Sequence, residues 1–529
     1  MNSERIYRGV TQTVMRLNMA REPVYSRQNE NYAISVYGTI HNPALLGEAD
    51  WCSIDKTHLT DLLNQIGGYF CLHLVQVNTG REYLANDIFG NYRLYLVAKG
   101  NQSVWCDTWA AAQQECPGRH IRNPFEERYF RRHNFTSGGR TMMAEVDKLK
   151  PATLVTVVDG LMTETIYLDT KLERITDDAA YIGRNLDLIT SSLSEVIKHD
   201  QPTFLMFSGG IDSTYLACVL RELELPFTPL FVKFNPTDRD NAVDGCKAST
   251  VARELGLTLQ TVEVDAESHS KLAGRAALRH PFDRAYAIPY EHAFEWLLEK
   301  YGRCNLINGQ ASDSIYCWGA SGTTLGSLIQ RYLISDTYFD GPRWLRAMIS
   351  RLVAAVYRRR WKMTFPFRVP YDGDEVWVGL LDPQGYLPIV HTAEKDREYH
   401  LYLFDIVREI ANEIGRNRDA MRMYLKLMYL QGPSNIAPIE AARAYGHNMV
   451  LPFVDARLVR LRRQYQSERR NLLRPRYVLT RALQDRYGFN PSIINRCRPV
   501  QSEAVNTSRF EATLKRAYRQ WDQVLDELC

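Results

Sequence analysis

Apolar and polar positions alternate through four stretches early in the chain: residues 31–42 (NYAISVYGTIHN), 67–77 (GGYFCLHLVQV), 82–100 (EYLANDIFGNYRLYLVAKG) and 152–160 (ATLVTVVDG). Alternation sends one set of side chains to each face of a strand, and the Gly and Asn residues between the stretches are turn formers. The pattern predicts an antiparallel β-rich domain with few helices over residues 1–175. From about residue 176 the period changes. Apolar residues at helical spacing in 181–198 lead into the buried run Phe204–Phe207. A second apolar strand over Pro229–Phe234, a helix across 241–256 and strands at 259–264 and 304–308 follow. Strands alternating with helices in this way predict a doubly wound parallel sheet. Residues from about 325 to 529 read as mostly helical. The expected fold is therefore α/β and α+β, with the parallel sheet and a helical extension over 176–529.

The densest chemical signal is the string Ser208-Gly209-Gly210-Ile211-Asp212-Ser213, placed directly after Phe207, with helical spacing starting at about Asp212. Glycines at 209 and 210 permit positive φ and close backbone approach to a ligand. Backbone N–H groups of such a turn and of the helix start form an anion site suited to pyrophosphate. Ser208 and Ser213 are candidate phosphate donors, and Asp212 is a candidate Mg2+ ligand. A second glycine turn, Gly309-Gln310-Ala311-Ser312-Asp313-Ser314, ends the strand at 304–308. It brings Asp313 toward the same region, where it and Asp212 are expected to share one Mg2+. Val232 and Phe234, at the end of the neighbouring strand, either frame an adenine or belong to the core. The lysine of a Walker loop is absent. The string instead resembles the pyrophosphate loop of enzymes that cut ATP to AMP and pyrophosphate.

Composition narrows the class. The 529 residues suffice for two or three domains, and 45% hydrophobic with 24% charged residues is ordinary for a globular chain. No apolar run reaches the ~20 residues of a membrane span. The N-terminal segment MNSERIYRGV carries no apolar signal core, so a cytoplasmic location is expected. Ten cysteines occur without a CxxC pair, which fits a reducing compartment and no structural zinc. A net charge of +4 gives no reason to expect nucleic acid binding. Arginines concentrate at 341–362, on one face of an apolar-periodic stretch, and twelve more fall within 457–498.

Read in order, these pieces resemble the asparagine synthetase family. YGTIHN is similar to its "NGEIYN" segment, Asn86–Tyr95 to its "RDRFGIKPLYY" turn, and VDKLKPATLVTV to its closing "I..LPPG..L.V" strand. SGGIDS resembles its pyrophosphate loop, GQASDS resembles "SGEGSDE", and Leu451–Val459 (LPFVDARLV) resembles "PFLD.RLV". The resemblance implies a class II glutaminase domain in front of an AMP-forming synthetase domain. The family's nucleophile is a cysteine at position 2, where this chain has Asn2. Its first cysteine is Cys52, and Gly67-Gly68 replaces the family's oxyanion-binding Asn-Gly. Glutamine hydrolysis needs both a thiolate and an oxyanion donor, so the front domain reads as a retained, inactive scaffold.

For the synthetase the resemblance implies adenylation of a carboxylate with ATP and Mg2+, followed by attack of a nitrogen nucleophile. ATP-binding residues carried over are Phe207, Ser208, Gly209, Gly210, Asp212, Ser213, Val232, Phe234 and Gly309. At the position where the family places a Glu or, in β-lactam synthetases, a Tyr, this chain has Gln310, which is no base. The tail lysine is matched by Arg498, or by Arg496 in a shifted register. Glu291, His280 and His292 are remaining candidates for the proton acceptor. A synthetase without a glutaminase suggests an amine supplied by the substrate, as in lasso peptide cyclases and β-lactam synthetases. The basic stretch at 341–362 suits a peptide, with a precursor peptide and its protease as partners. The alternatives are an ammonia-dependent amidotransferase acting on a small acid or sugar acid, a β-lactam-synthetase-like enzyme and a tRNA-modifying enzyme.

Overall fold

The computed structural model describes residues 5–6, 14–99, 102–117, 121–169, 172–235, 237–284, 287–316, 394–415, 418–465, 476–496 and 507–528. The basic stretch at 341–362 lies outside the described residues.

The front part holds two sheets. β1 (Arg5–Ile6), β3 (Tyr25–Gln28), β4 (Tyr32–Ile40), β5 (Gly68–Gln76), β6 (Arg81–Asn86), β10 (Thr153–Val158) and β11 (Leu161–Ile166) form a seven-stranded sheet, ordered β1-β11-β10-β6-β5-β4-β3. Every pairing in it is antiparallel. A four-stranded sheet runs β2 (Val14–Asn18), β8 (Gln102–Cys106), β7 (Tyr95–Lys99), β9 (Val146–Lys148). Met15, Cys71, Leu84, Trp105 and Val155 are buried together, drawn from both sheets, so the two pack face to face. The alternation in β4 is as expected: Tyr32, Ile34 and Val36 point inward and the residues between them are half-exposed.

Helices are more numerous here than the alternation implied. They are α1 (Ala44–Glu48), α2 (Lys56–Leu63), α3 (Trp109–Glu115) and α4 (Pro124–His133). Three begin at a residue whose side chain accepts from the first turn: Asp55 from His58 N, Thr108 from Ala111 N, and Asn123 from Phe125 N and Glu126 N. Those caps satisfy donors that a short helix otherwise leaves orphaned.

Behind the front domain, α5 (Asp178–Val196) leads into β12 (Thr203–Met206), α6 (Ile211–Glu222), β13 (Thr228–Asn235), α7 (Arg239–Glu254), β14 (Gln260–Asp265), α8 (Ala266–Arg279), α9 (Ala287–Tyr301), β15 (Asn305–Ile307) and α10 (Ser312–Tyr316). The later elements are α11 (Glu394–Ile414), α12 (Arg418–Leu430), α13 (Pro433–Ala444), β16 (Asn448–Val450), α14 (Ala456–Gln464), α15 (Tyr477–Asp485), α16 (Ser492–Arg496) and α17 (Thr507–Leu528). The sheet is wholly parallel, in the order β14-β13-β12-β15-β16. β16 adds one strand, not expected from the periodicity, to a region after 325 that is otherwise helical among the described residues. Only three residues long, it gains its place by pairing with β15 rather than by any local pattern. The chain leaves β12 toward β13 on one side and returns at β15 on the other. The carboxyl end of β12 is therefore the switch point where a ligand crevice forms.

The two parts share one core, which contains Ile34 and Phe70 from the front sheet and Leu205 and Leu230 from the parallel sheet. Gln431 stitches the seam: its Nε2 donates to Leu149 O at 2.7 Å, and its carbonyl O accepts from Arg93 Nη2 at 2.5 Å. The C-terminal helix α17 lies along α8, where Trp521, Ala517 and Leu525 are buried with Leu272, Ala273 and Ala276.

Candidate active site

The SGGIDS turn forms as its composition dictates. Phe207 N still belongs to the sheet, donating to Leu230 O at 2.7 Å, and its ring is buried. Gly209 has φ +65°, and a Cβ there would lie 2.4 Å from the Lys247 carbonyl carbon, so both backbone and packing exclude a side chain. Gly210 is the N-cap of α6 and supplies no side-chain cap to the first-turn N–H groups. Ser208 Oγ accepts weakly from Gly210 N at 3.4 Å, and Ser213 Oγ donates to Gly210 O at 3.3 Å. The turn keeps its hydroxyls within the loop and its helix start uncapped, which is the form of an anion cradle.

Asp212 sits in the first turn of α6, and two partners hold it. Ser312 Oγ donates to its Oδ1 at 2.6 Å, and Arg476 Nη1 lies 3.1 Å from its Oδ2. Burial raises the Asp212 carboxyl above the usual carboxylate range, against the opposing pull of Arg476 and Ser312. Gly309 packs against Asp212, with an added Cβ reaching 3.3 Å from Asp212 Cβ. The two glycine turns thus meet as the spacing predicted. Asp313 lies on α10, but its side chain is outside the described residues, so the expected Asp212–Asp313 pair is not seen. Arg498 is likewise outside them, and Arg496 is placed only as the last residue of α16.

Gln310 projects to Tyr290: Gln310 Nε2 donates to Tyr290 Oη at 3.1 Å, as does Asn308 Nδ2 at 3.3 Å. The next residue, Ala311, has φ +72° and is buried. An L-residue with a Cβ in the left-handed region costs about 1 kcal/mol. The turn therefore holds strain where the family motif quoted above has glycine.

Two of the candidates for the proton acceptor are engaged in structural contacts. Glu291 is fully buried and taken by Arg279 and by Tyr445 Oη at 3.1 Å. His280 is buried with Nδ1 3.0 Å from Asp283 O. His292 shares α9 with Tyr290. Among the described residues, neither Glu291 nor His280 has a partner on either glycine turn. On the other flank, Val232 and Phe234 are half-buried at the end of β13, beside the Asn241 side chain. Ser312, Arg476, Tyr290 and Asn241 are the site residues that sequence reasoning missed. Ser312 stood inside a recognised motif; Arg476 was one arginine among many.

In the front domain, the Gly67-Gly68 pair is packed against the segment around Asp455. Gly68 N donates to Val454 O at 3.1 Å, and a Cβ on Gly67 would fall 2.2 Å from Asp455 Oδ2. Asp455 also accepts from Ser192 Oγ at 3.2 Å and Arg457 Nη2 at 2.7 Å, and lies 3.0 Å from His41 Nδ1. Burial alone raises the Asp455 carboxyl, but the His41 and Arg457 contacts outweigh it and hold the group far below the carboxylate range. Cys71 and Cys106 are buried, and burial pushes both thiols up, Cys106 to about 12.

A parallel sheet whose switch-point strand ends in an uncapped glycine turn is the frame of a nucleotide-binding α/β enzyme. Residues 185–523 match the asparagine synthase family, and the chain belongs to that family. It is an ATP-dependent carbon–nitrogen ligase. Among solved structures, NMN synthetase from Francisella tularensis is similar at 14% identity over 46% of this chain and 97% of its own, with a TM-score of 0.22. NH3-dependent NAD synthetase from Campylobacter jejuni subsp. jejuni, in complex with the nitrate ion, matches at 12% identity over 46% of this chain and 96% of its own, with a TM-score of 0.20. No curated protein matches. No helix among the described residues is long and apolar enough to cross a membrane.

Proposed function

We propose that the chain adenylates a small carboxylic acid on the SGGIDS loop and passes the acyl group to free ammonia, with residues 1–175 acting as an inactive front domain. The observation that supports this is the union of an open pyrophosphate cradle with a front domain whose Gly67-Gly68 pair is closely packed. At the loop, the uncapped start of α6 and the Arg476 guanidinium supply positive charge for the phosphates. In front, Gly67 and Gly68 are packed against Val454 and Asp455, and the Cys71 and Cys106 thiols are buried. With Asn2 at the position of the family's nucleophilic cysteine, this reading draws the nitrogen from an external amine.

Asp212 fits as one protein ligand of a Mg2+ whose other positions are phosphate oxygens and water, the usual arrangement for this ion. Bound there, Mg2+ would neutralise phosphate charge. Arg476 and the α6 N–H groups orient the pyrophosphate, and Gln310 lies on the turn that faces the loop. Peptide macrolactam formation rests on the missing glutaminase nucleophile together with the basic stretch at 341–362, and that stretch lies outside the described residues.

The test is ATP–pyrophosphate exchange against a panel of small carboxylic and sugar acids, followed by addition of ammonium to the acid that exchanges. The reading expects AMP and amide to appear with ammonium and not with glutamine. Exchange seen only with a peptide substrate, and amide formed without ammonium, would replace this reading by the macrolactam one.

A further inference from the structure

We propose that Asn241 sets the base specificity of the nucleotide site by masking one backbone donor on the open edge of β13, an inference that rests on the ATP reading above. Phe207 N donates to Leu230 O, and Met206 opposite Leu230 is the last pair between β12 and β13. Alternate residues of a strand present their N–H and C=O groups to the same edge. Val232 and Phe234 therefore face the side that β12 vacates when it turns into the SGGIDS loop. Asn241, in the first turn of α7, reaches onto that edge. Its Nδ2 donates to Val232 O at 3.1 Å, and its Oδ1 accepts from Phe234 N at 2.9 Å and from Thr237 Oγ1 at 3.2 Å. The Asn241 backbone is fixed in turn by Asp238, the N-cap of α7, whose Oδ1 accepts from Asn241 N at 2.8 Å.

The consequence follows from the order of groups along the strand: Val232 N–H, Val232 C=O, Phe234 N–H. Adenine offers an acceptor at N1 and a donor at its 6-amino group. Those match Val232 N–H and the remaining lone pair of Val232 C=O. Guanine offers the reverse, a donor at N1 and an acceptor at O6. Shifted one group along the edge, with its 6-position still leading, it would match Val232 C=O and Phe234 N–H. Asn241 already holds Phe234 N–H, so the guanine register has no donor for O6. Asn241 is thus a specificity-determining residue that excludes guanine by occupying a backbone group, and needs no contact with the base itself.

The experiment is equilibrium titration of the full chain with ATP, GTP and inorganic pyrophosphate. Wild type is expected to prefer ATP. Asn241→Ala unmasks Phe234 N–H and should lower the ATP:GTP affinity ratio about tenfold, the scale of one hydrogen bond gained or left unpaired in a pocket. Pyrophosphate binding, which belongs to the glycine turn, should stay unchanged. Asn241→Asp keeps an acceptor on Phe234 N–H and should keep the ratio within a few fold. An Asn241→Ala protein that weakens ATP and GTP equally, or moves neither, overturns the proposal and leaves Asn241 a pin for the strand end. Should Asn241→Ala fail to fold, Asn241→Asp carries the test, and collapse of its ratio refutes masking. Wild type that binds pyrophosphate but neither nucleotide overturns the ATP reading together with this one.

Discussion

Arg476 Nη1 lies 3.1 Å from Asp212 Oδ2, which sets a residue from the C-terminal region directly over the pyrophosphate loop. Arg476 itself adopts φ +58°, just before α15 begins, so its backbone is held in an uncommon conformation where its side chain reaches the loop. An arginine so placed neutralises the loop's only described carboxylate while the nucleotide is absent, and offers a planar fork to phosphate oxygens when it is present.

Arg476→Ala should therefore raise the KM for ATP about ten- to a hundredfold in pyrophosphate exchange, the scale expected for loss of one charge-assisted phosphate contact. Arg476→Lys should recover part of it, because the charge returns without the fork. Direct ATP titration separates this from a chemical defect: an unchanged dissociation constant in Arg476→Ala would show that the guanidinium serves only Asp212.

Ala311→Gly should stabilise the protein by about 1 kcal/mol, since the left-handed φ of +72° penalises a Cβ and not glycine. Urea unfolding followed by tryptophan fluorescence measures it. A variant no more stable than wild type would mean that the gain in the folded state is offset by glycine's extra freedom in the unfolded chain.

Asp455 predicts a pH dependence. Its folded-state carboxyl is depressed, so its contribution is complete above the unfolded value of about 3.9 and is lost as pH falls below that toward the folded value. Asp455→Asn should cost about 3–5 kcal/mol at pH 7, because it leaves His41 and Arg457 without their buried anion. The gap from wild type should narrow below about pH 4. A gap that stays constant from pH 7 to pH 3 would place the cost in packing rather than in charge.

The purified protein should release no glutamate from glutamine above a control without enzyme. Cys52, half-buried in the turn after α1, is the first cysteine of the chain, and Cys52→Ala should leave amide formation within about twofold, as for a surface substitution away from the site. Glutaminase activity that disappears in Cys52→Ala would overturn the reading of the front domain.

What the sequence determined by itself were the features whose cause is local. An apolar run followed by Ser-Gly-Gly can only be a buried strand leaving through a tight turn, and Gly209 takes the positive φ that such a turn demands. Alternation, clearest in β4, pointed to an antiparallel sheet, and strand–helix spacing after 176 pointed to a parallel one. The two glycine turns were expected to meet, and Gly309 packs on Asp212. Tertiary structure alone decided the rest. β16 is too short to carry a period and exists because β15 offers it an edge. Arg476 and Asn241 are common residue types whose flanking sequence says nothing of Asp212 or of the β13 edge. Asp455 was visible within LPFVDARLV, yet its partners His41, Gly67 and Ser192 come from three distant segments. Side chains that complete a site act through distance in space, and only closure of the chain around its shared core sets those distances.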